Sequence, residues 1–170
     1  DDLAFETEES EELQQGEGED ETFSALCGAL PDNVQKAYLR YGSNFKKGYL
    51  ALNRGEFSEA ADYLSRALSE NPASDSFIPL ELATAYLNLE KFAEARELLE
   101  AFIASHPEAL PAYQMLCELL WEAKEYETVE SLLSSVPEAL SESIAVYLLR
   151  GENLYQARQL TEAKQYFQGF

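Results

Sequence analysis

The sequence is poor in side chains that bind metals or form disulfides, since it contains one histidine, His106, and two cysteines, Cys27 and Cys117, in 170 residues. A site that needs two histidines is therefore excluded, and two cysteines without a ligand-spacing motif predict neither a zinc site nor an oxidising compartment. Both cysteines fall within helical patterns, where we expect each thiol to fill a small core position. His106 precedes Pro107 at a helix end, where we expect a weak contact with the helix dipole rather than catalysis.

Basic residues are also scarce. The chain has 12 Lys and Arg against 32 Asp and Glu, which gives a formal net charge of −20. Because phosphate contacts need clustered Lys and Arg, and no such run exists, we expect no nucleic-acid partner. Much of the acidity lies in residues 1–22, which hold eleven acidic residues and no Lys or Arg. We therefore expect residues 1–19 to form an acidic tail or tether.

Long apolar runs are absent too. No stretch approaches the roughly 18 apolar residues that a membrane span needs, and no basic start followed by an apolar run indicates a signal peptide. We expect a soluble chain, and the sequence leaves the choice between cytoplasm and periplasm open. The glycines of GEGEDE at 16–21 fit neither a phosphate-binding loop nor a calcium loop. With no catalytic constellation present, we expect no enzymatic activity, no metal and no cofactor.

What the sequence does contain is a repeat. The stretch from Arg54 to Pro72 is similar in sequence to the stretch from Leu89 to Pro107, at an offset of 35 residues. The register continues at an offset of 34, so that four copies are present. Each copy carries a small residue in the first helical pattern, at Gly48, Ala83, Cys117 and Gly151. A larger side chain there would push two crossing helices apart, so these positions are expected to mark close helix contacts.

Each copy carries two amphipathic helical patterns. In the second copy, Leu82, Ala83 and Tyr86 share one helical face, and Phe92 and Leu99 share the face of the next helix. Short polar breaks separate the two patterns, and prolines often follow the second. A period near 34 residues with two antiparallel helices per copy predicts an all-α solenoid rather than a globular bundle.

The stretch LATAYLNLEKFAEARELLEAFIASHP, residues 82–107, resembles the tetratricopeptide repeat family, and the resemblance covers roughly residues 40–170. It implies a right-handed superhelix of helix hairpins. The chain departs from the family pattern at Lys47 and Arg150, where the family prefers Leu, and at Val129, where it prefers Ala. Pro137 arrives early and is expected to shorten the second helix of the third repeat.

The register divides the chain into six segments. We expect an acidic tail at 1–19, a capping half-repeat helix at 20–30, repeat 1 at 31–75, repeat 2 at 76–109, repeat 3 at 110–140 and an incomplete repeat 4 at 141–170. In repeat 1 the first helix is predicted to be extended, from an N-cap at Asp32 to about Asn53.

In this family the first helix of each repeat lines a concave groove, and the resemblance implies a peptide-binding groove at the matching positions. These are Phe45, Tyr49, Leu52 and Asn53 in repeat 1, Phe77, Leu80, Thr84, Leu87 and Asn88 in repeat 2, Gln114, Glu118, Trp121 and Glu122 in repeat 3, and Leu148, Glu152, Tyr155 and Gln156 in repeat 4. The alternative is that some of them, particularly Tyr49 and Leu52, belong to the core. The family's basic clamp for a peptide carboxylate is not expected, because Phe45, Tyr49, Glu81, Pro111 and Met115 occupy its positions.

The favoured function is therefore a protein-interaction module or scaffold that binds a peptide or helix with apolar anchors and positive charge, in the assembly or secretion of a larger complex. One alternative is a self-associating structural solenoid, as a homo-oligomer or part of a longer array. Another is the non-catalytic domain of an enzyme. We also expect Leu3 and Phe5 of the tail to pack on apolar surface, at Phe45, Phe77 and Leu80 or on a second copy, with GEGE as a loose tether.

Overall fold

The computed structural model describes residues 16–169, and every regular element in that range is a helix. Helix α1 covers residues 16–28 of the described part. The following helices are α2 Asp32–Tyr38, α3 Ser43–Arg54, α4 Phe57–Glu70, α5 Ile78–Asn88, α6 Phe92–Ser105, α7 Leu110–Glu122, α8 Tyr126–Ser134, α9 Glu138–Ser141, α10 Ile144–Gln156 and α11 Leu160–Gln168. The predicted all-α helical repeat is confirmed. The chain divides into two units, the first ending at Leu89 and the second beginning at Glu90.

The turn between the two helices of each repeat has a left-handed residue at a recurring position. Gly55 has a φ of 81°, and Glu90, Lys124 and Arg158 have φ values of 58°, 60° and 59°. These positions are spaced by the same 35, 34 and 34 residues as the small-residue column. A residue with a side chain in this conformation costs about 1–2 kcal/mol, which glycine avoids. The same tight turn is therefore kept in all four repeats, at a conformational cost in three of them.

Two glycines of the small-residue column lie where helices touch. A Cβ added at Gly48 of α3 would lie 2.8 Å from Cγ and 3.1 Å from the backbone nitrogen of Leu64 in α4. A Cβ added at Gly151 of α10 would lie 2.1 Å from Cζ of Phe167 in α11. In the first and fourth hairpins, the two helices therefore approach closely at a position without a side chain.

The first unit has an aromatic core. Phe45 packs edge-on against Tyr38 and Phe23, with ring centroids 4.7 Å and 6.3 Å away. Tyr49 contacts the same two rings, at 5.2 Å and 6.0 Å. Phe23 and Cys27 are buried and belong to α1. Helix α1 is therefore fixed on α3 by rings, and edge-to-face aromatic pairs of this kind add about 0.5–1.5 kcal/mol each beyond area burial.

The second unit has a mainly aliphatic core. Its fully buried side chains come from α6, α7, α8 and α10, and they include Leu99, Leu120, Val129, Leu133 and Val146. Tyr113 and Phe102 are the large aromatic exceptions, and the Tyr113 hydroxyl donates to the carbonyl of Pro107 at 2.8 Å. Helix α8 has 9 residues, against 14 in α4 and in α6, and it ends shortly before Pro137. The shortened helix expected from the early proline is present.

The prediction of one long helix from Asp32 to about Asn53 is wrong. Helix α2 ends at Tyr38 and α3 begins at Ser43, because Gly42 between them has a φ of 92°. A backbone in that region cannot continue an α-helix, and glycine is the residue that enters it without strain.

The break directs Tyr41 back into the unit. Its ring lies 4.9 Å from that of Phe45, and its hydroxyl accepts the backbone N–H of Phe77 at 2.9 Å. The apolar spacing continues through the break, so the sequence pattern alone concealed it.

The acidic N-terminal segment also differs from expectation at its end. Residues 16–19 were predicted to be a loose tether, but they belong to α1. Glu19 and Asp20 form ion pairs with Arg54 and Lys46, at 3.5 Å and 2.6 Å. Leu3 and Phe5 lie outside the described residues, so their predicted packing stays a prediction.

Candidate functional site

The groove residues predicted in repeat 1 are mostly not on a surface. Phe45 is 0% exposed and Tyr49 is 8% exposed, because Phe23 of α1 packs on both rings. Their assignment to an open groove is therefore wrong, and the core alternative holds for them. Leu52 is half-buried, and Asn53 is exposed.

The residues predicted in repeat 2 lie on α5 and just before it. Phe77, Leu80, Thr84 and Leu87 are half-buried, and Asn88 is exposed. The Asn88 side chain donates to the carbonyl of Thr84 at 2.8 Å. Asn53 makes the equivalent bond to the carbonyl of Tyr49, also at 2.8 Å, so both asparagines are held by their own helices.

The predicted residues of repeats 3 and 4 lie on α7 and α10, which pack against each other in the second unit. We call this set the α7–α10 surface; it consists of Gln114, Glu118, Trp121, Glu122, Leu148, Glu152, Tyr155 and Gln156. Gln114, Glu118, Glu122, Leu148, Tyr155 and Gln156 are exposed, while Trp121 and Glu152 are half-buried. The second unit thus brings all eight predicted residues onto two adjacent helices.

Trp121 is fixed by a chain of hydrogen bonds across three helices. Its indole Nε1–H donates to Oδ1 of Asn153 at 3.0 Å, and Nδ2 of Asn153 donates to the carbonyl of Tyr126 at 3.0 Å. Asn153 is only 5% exposed, and a buried amide with both ends bonded holds its partners in one geometry. The indole ring is therefore presented in a preformed orientation. Asn153 was not among the predicted site residues, since a lone Asn in a helix carries no such signal.

The exposed face of α10 is apolar. Leu148 and Tyr155 are 51% and 58% exposed, and Ile144, one turn before Leu148, is 62% exposed. Positions 144, 148, 152 and 155 follow the spacing of one helical face. Ile144 was missed in the sequence analysis, although its spacing of four from Leu148 was a usable signal.

Carboxylates lie on the same two helices as this apolar stripe. Glu118 and Glu122 are exposed on α7, and Glu152 accepts a hydrogen bond from Nε2 of Gln156 at 2.7 Å. Arg150, the basic residue within α10, is engaged elsewhere, with Glu130 at 3.8 Å and the carbonyl of Leu133 at 3.3 Å. The α7–α10 surface therefore combines exposed apolar side chains with negative charge.

A half-buried carboxylate lies in the first unit. The Tyr38 hydroxyl donates to Oε1 of Glu81, and burial raises the pKa of the Glu81 carboxyl above its ordinary value, an effect that the Tyr38 hydrogen bond opposes. Burial and the Glu81 charge also raise the pKa values of Tyr38 and Tyr49. This carboxylate is held at the edge of the aromatic core by its bond from Tyr38.

The chemistry available to the described residues is limited. Burial raises the pKa of the Cys117 thiol to about 12, and it also raises the pKa of Cys27, so both thiols stay protonated at neutral pH. Residues 16–169 contain no group of three or more His, Cys, Asp or Glu side chains placed to hold a metal ion. In the same range, no helix is both long and apolar enough to cross a membrane.

The tetratricopeptide repeat family matches residues 51–120 and 90–152, which together span more than half of the chain. The chain therefore belongs to the tetratricopeptide repeat family. Membership supports a protein–protein interaction or scaffold module, and the fold is typical of non-catalytic modules.

Solved structures of MamA, a protein with a fold of the same type, are similar to this chain. The MamA MSR-1 C2 structure is 25% identical, with a TM-score of 0.57, and the match covers 76% of this chain and 74% of that one. The MamA AMB-1 P212121 structure is 24% identical, with a TM-score of 0.56 and coverages of 81% and 72%. No curated protein matches the chain. These likenesses concern the fold.

Proposed function

We propose that the chain is a protein-interaction module whose α7–α10 surface binds an extended or helical peptide with apolar anchors and positive charge. The observation that carries this proposal is the exposed stripe of Ile144, Leu148 and Tyr155 on α10. Helix α10 packs against α7, which exposes Glu118 and Glu122. Burying one such aliphatic side chain in a complex is favourable by about 1.5–3 kcal/mol. The carboxylates then select a basic partner and speed its approach.

The rigidity of Trp121 supports the same surface. A side chain that is already ordered loses little conformational entropy when a partner packs on it. Large aromatic side chains at interfaces are frequent energetic anchors. With its indole N–H held by Asn153 at 3.0 Å, the ring of Trp121 is suited to a partner's apolar side chain.

The test uses a fluorescently labelled amphipathic peptide with Leu and Phe on one face and Lys and Arg on the other, titrated with the full chain. Leu148→Ser with Tyr155→Ser should weaken binding by about tenfold or more, the loss that two buried anchors predict. The matched control is Leu39→Ser, which changes an apolar residue that is 53% exposed in the first unit. Equal binding by the double variant and the control would overturn the proposal.

A charge test uses the same peptide. Glu118→Lys with Glu122→Lys should weaken binding and reduce its salt dependence, because exposed charges act through a screened field. Glu94→Lys with Glu97→Lys, at exposed positions of α6, makes the same change in net charge and is the matched control. Trp121→Phe removes the indole N–H and its bond to Asn153 but retains an aromatic ring. Trp121→Ala removes the ring as well, so the difference in binding between the two variants measures the contribution of the ring.

Self-association is a second candidate, favoured by the exposed face of the last described helix. Leu160 and Phe167 of α11 are 59% and 42% exposed. A second copy that packed on α11 would bury these side chains. Size-exclusion chromatography over a range of concentrations tests this candidate, since Leu160→Lys should shift any oligomer towards monomer while Leu39→Ser should not.

A further inference from the structure

Half of the basic residues of this acidic chain lie within one short part of its first unit. Of the 12 Lys and Arg, six lie within residues 36–66. Three of them, Lys46, Lys47 and Arg54, line one cleft of about 370 Å³ beside α1, α3 and α4. In a chain with a net charge of −20, a cleft with three cations on its wall differs from the average surface. Local charge of one sign attracts ligands of the opposite sign.

Helix geometry places these cations together. Lys47, Ala51 and Arg54 are spaced by four and three residues, so they follow one face of α3. Ala51 is buried and forms part of the cleft wall, together with Gly16 and Tyr63. The small side chain at position 51 leaves room between the two long basic side chains.

The cleft already receives carboxylates from a helix. Glu19 of α1 lies 3.5 Å from Arg54, and Asp20 lies 2.6 Å from Lys46. The Asp20 side chain is 68% exposed, so this pair is at the surface, where ion pairs contribute little to stability and exchange readily. The arrangement demonstrates within one chain that carboxylates on a helix fit these cations.

Two cations beside Tyr63 of the cleft wall, Lys47 in the wall and Arg66 next to it, have no carboxylate partner within residues 16–169. Lys47 lies 5.7 Å from the ring centroid of Tyr63, and Arg66 lies 5.6 Å from the same centroid. A cation beside an aromatic ring keeps its charge and its hydrogen-bond donors available to an anion. The opposing charge within the cleft, besides Glu19, is Glu59. Lys47 and Arg66 can therefore take new carboxylates without displacing α1.

We propose that this cleft docks an acidic, Glu- or Asp-rich segment of a partner protein. The segment's carboxylates pair with Lys47 and Arg66 first, and they then replace Glu19 and Asp20 on Arg54 and Lys46. The occupant is a peptide rather than a phosphate polymer, because the pairs already formed in the cleft are with carboxylates carried on a helix. The acidic end of α1 acts as a built-in competitor. The first unit would then prefer a charge opposite to the one proposed for the α7–α10 surface.

The direct test measures binding of a labelled oligoglutamate peptide to the full chain by fluorescence anisotropy. Binding should weaken as salt is added, since exposed pairs are screened. Lys47→Glu with Arg54→Glu should weaken it by about tenfold or more, because two attractive contacts become repulsive. Both positions are exposed, so the fold should be retained. The matched control is Lys124→Glu with Lys164→Glu, at exposed positions of the second unit. It makes the same change in net charge, and a loss equal to that of the cleft variant would overturn the proposal.

A second pair of variants tests the competitor. Glu19→Gln with Asp20→Asn removes the internal carboxylates and should strengthen oligoglutamate binding severalfold. Glu17→Gln with Glu21→Gln, at exposed positions of the same helix, makes the same change in net charge and should have a smaller effect. If both pairs strengthened binding equally, the effect would come from net charge alone, and the assignment of the cleft would be overturned. Equal competition by inorganic polyphosphate would overturn the choice of a peptide.

Discussion

The two units follow one repeat pattern but differ in core and surface. In the first unit, rings from α1, α2 and α3 pack around Phe45, and Leu39 is the large apolar residue that the described part of this unit leaves exposed. The second unit has an aliphatic core and exposes Phe92, Ile144, Leu148, Tyr155, Leu160 and Phe167. The apolar face of a repeat can therefore be covered by another helix of the same chain or remain exposed to solvent.

The difference arises from what covers the first helix of the repeat. In repeat 1, Phe23 of α1 lies on Phe45 and Tyr49, where the sequence predicted a groove. In repeat 4, the apolar face of α10 retains more than half of its exposure at Leu148 and Tyr155. Solenoid ends need such coverage, because each repeat buries its apolar face only against a neighbour.

The largest predicted contrast is between two residues that the sequence assigned to the same groove. Phe45→Ala should destabilise the chain by about 3–5 kcal/mol, because it removes a fully buried ring from a packed core. Tyr155→Ala should change stability by less than about 0.5 kcal/mol, since its side chain is mainly in solvent. Urea denaturation of the two variants measures both. Similar losses of stability in the two variants would contradict the difference between the covered Phe45 and the exposed Tyr155.

The next contrast concerns the two glycine contacts. Gly48→Ala should cost about 1–3 kcal/mol from overpacking, because Leu64 is 0% exposed and the obstruction includes its backbone nitrogen. Gly151→Ala meets the ring of Phe167, which is 42% exposed and can swing away. The better helix propensity of Ala, about 1 kcal/mol, then offsets much of the remaining cost. Thermal unfolding of both variants measures these losses of stability. A larger loss of stability for Gly151→Ala than for Gly48→Ala would contradict the prediction.

The Glu81 carboxylate predicts a pH dependence specific to the first unit. The pKa of Glu81 is raised in the folded chain above its ordinary value of 4.5. At pH values between the ordinary pKa and the folded-state pKa, the folded state therefore binds more protons than the unfolded state. The free energy of unfolding of the wild type, relative to Glu81→Gln, should therefore rise as pH falls through that window and level off below it. Denaturation at several pH values checks this sign. A difference between the two proteins that is independent of pH would contradict it.

The smallest predicted effects concern the left-handed turns. Gly55→Ala should cost about 1 kcal/mol, because a side chain is forced into the left-handed region. Lys124→Gly should stabilise by up to about 1 kcal/mol, since it relieves the same strain. Opposite changes in the denaturation midpoint are expected, and changes of the same sign would indicate that the turn is not equivalent in the two units.

The sequence predicted the repeat well because the signal was redundant. The columns at Gly48 and Gly151, and the turns at Gly55 and Lys124, all follow one period, so an error at one position could not shift the rest. The break at Gly42 was missed because apolar spacing continues across it and a single glycine is tolerated in a helical pattern.

The positions of the proposed groove residues in the fold could be predicted only in part, for a physical reason. Membership of a helical face can be read from spacing, and this placed Trp121, Leu148 and Tyr155 on adjacent helices correctly. Whether that face is covered depends on a distant segment. Phe23 covers Phe45, and the two residues are 22 positions apart in the sequence, so no local pattern connected them.

The central claim is that the second unit, through its α7–α10 surface, receives a basic peptide with apolar anchors. The chain has one tryptophan, so its indole N–H gives a single nuclear magnetic resonance signal that reports on Trp121 and its bond to Asn153. Titration of the amphipathic basic peptide into the isotope-labelled chain should shift this signal together with the amides of Leu148 and Tyr155, while the amides of Phe45 and Tyr49 stay in place. Shifts confined to the first unit, with the indole signal unchanged, would contradict the claim.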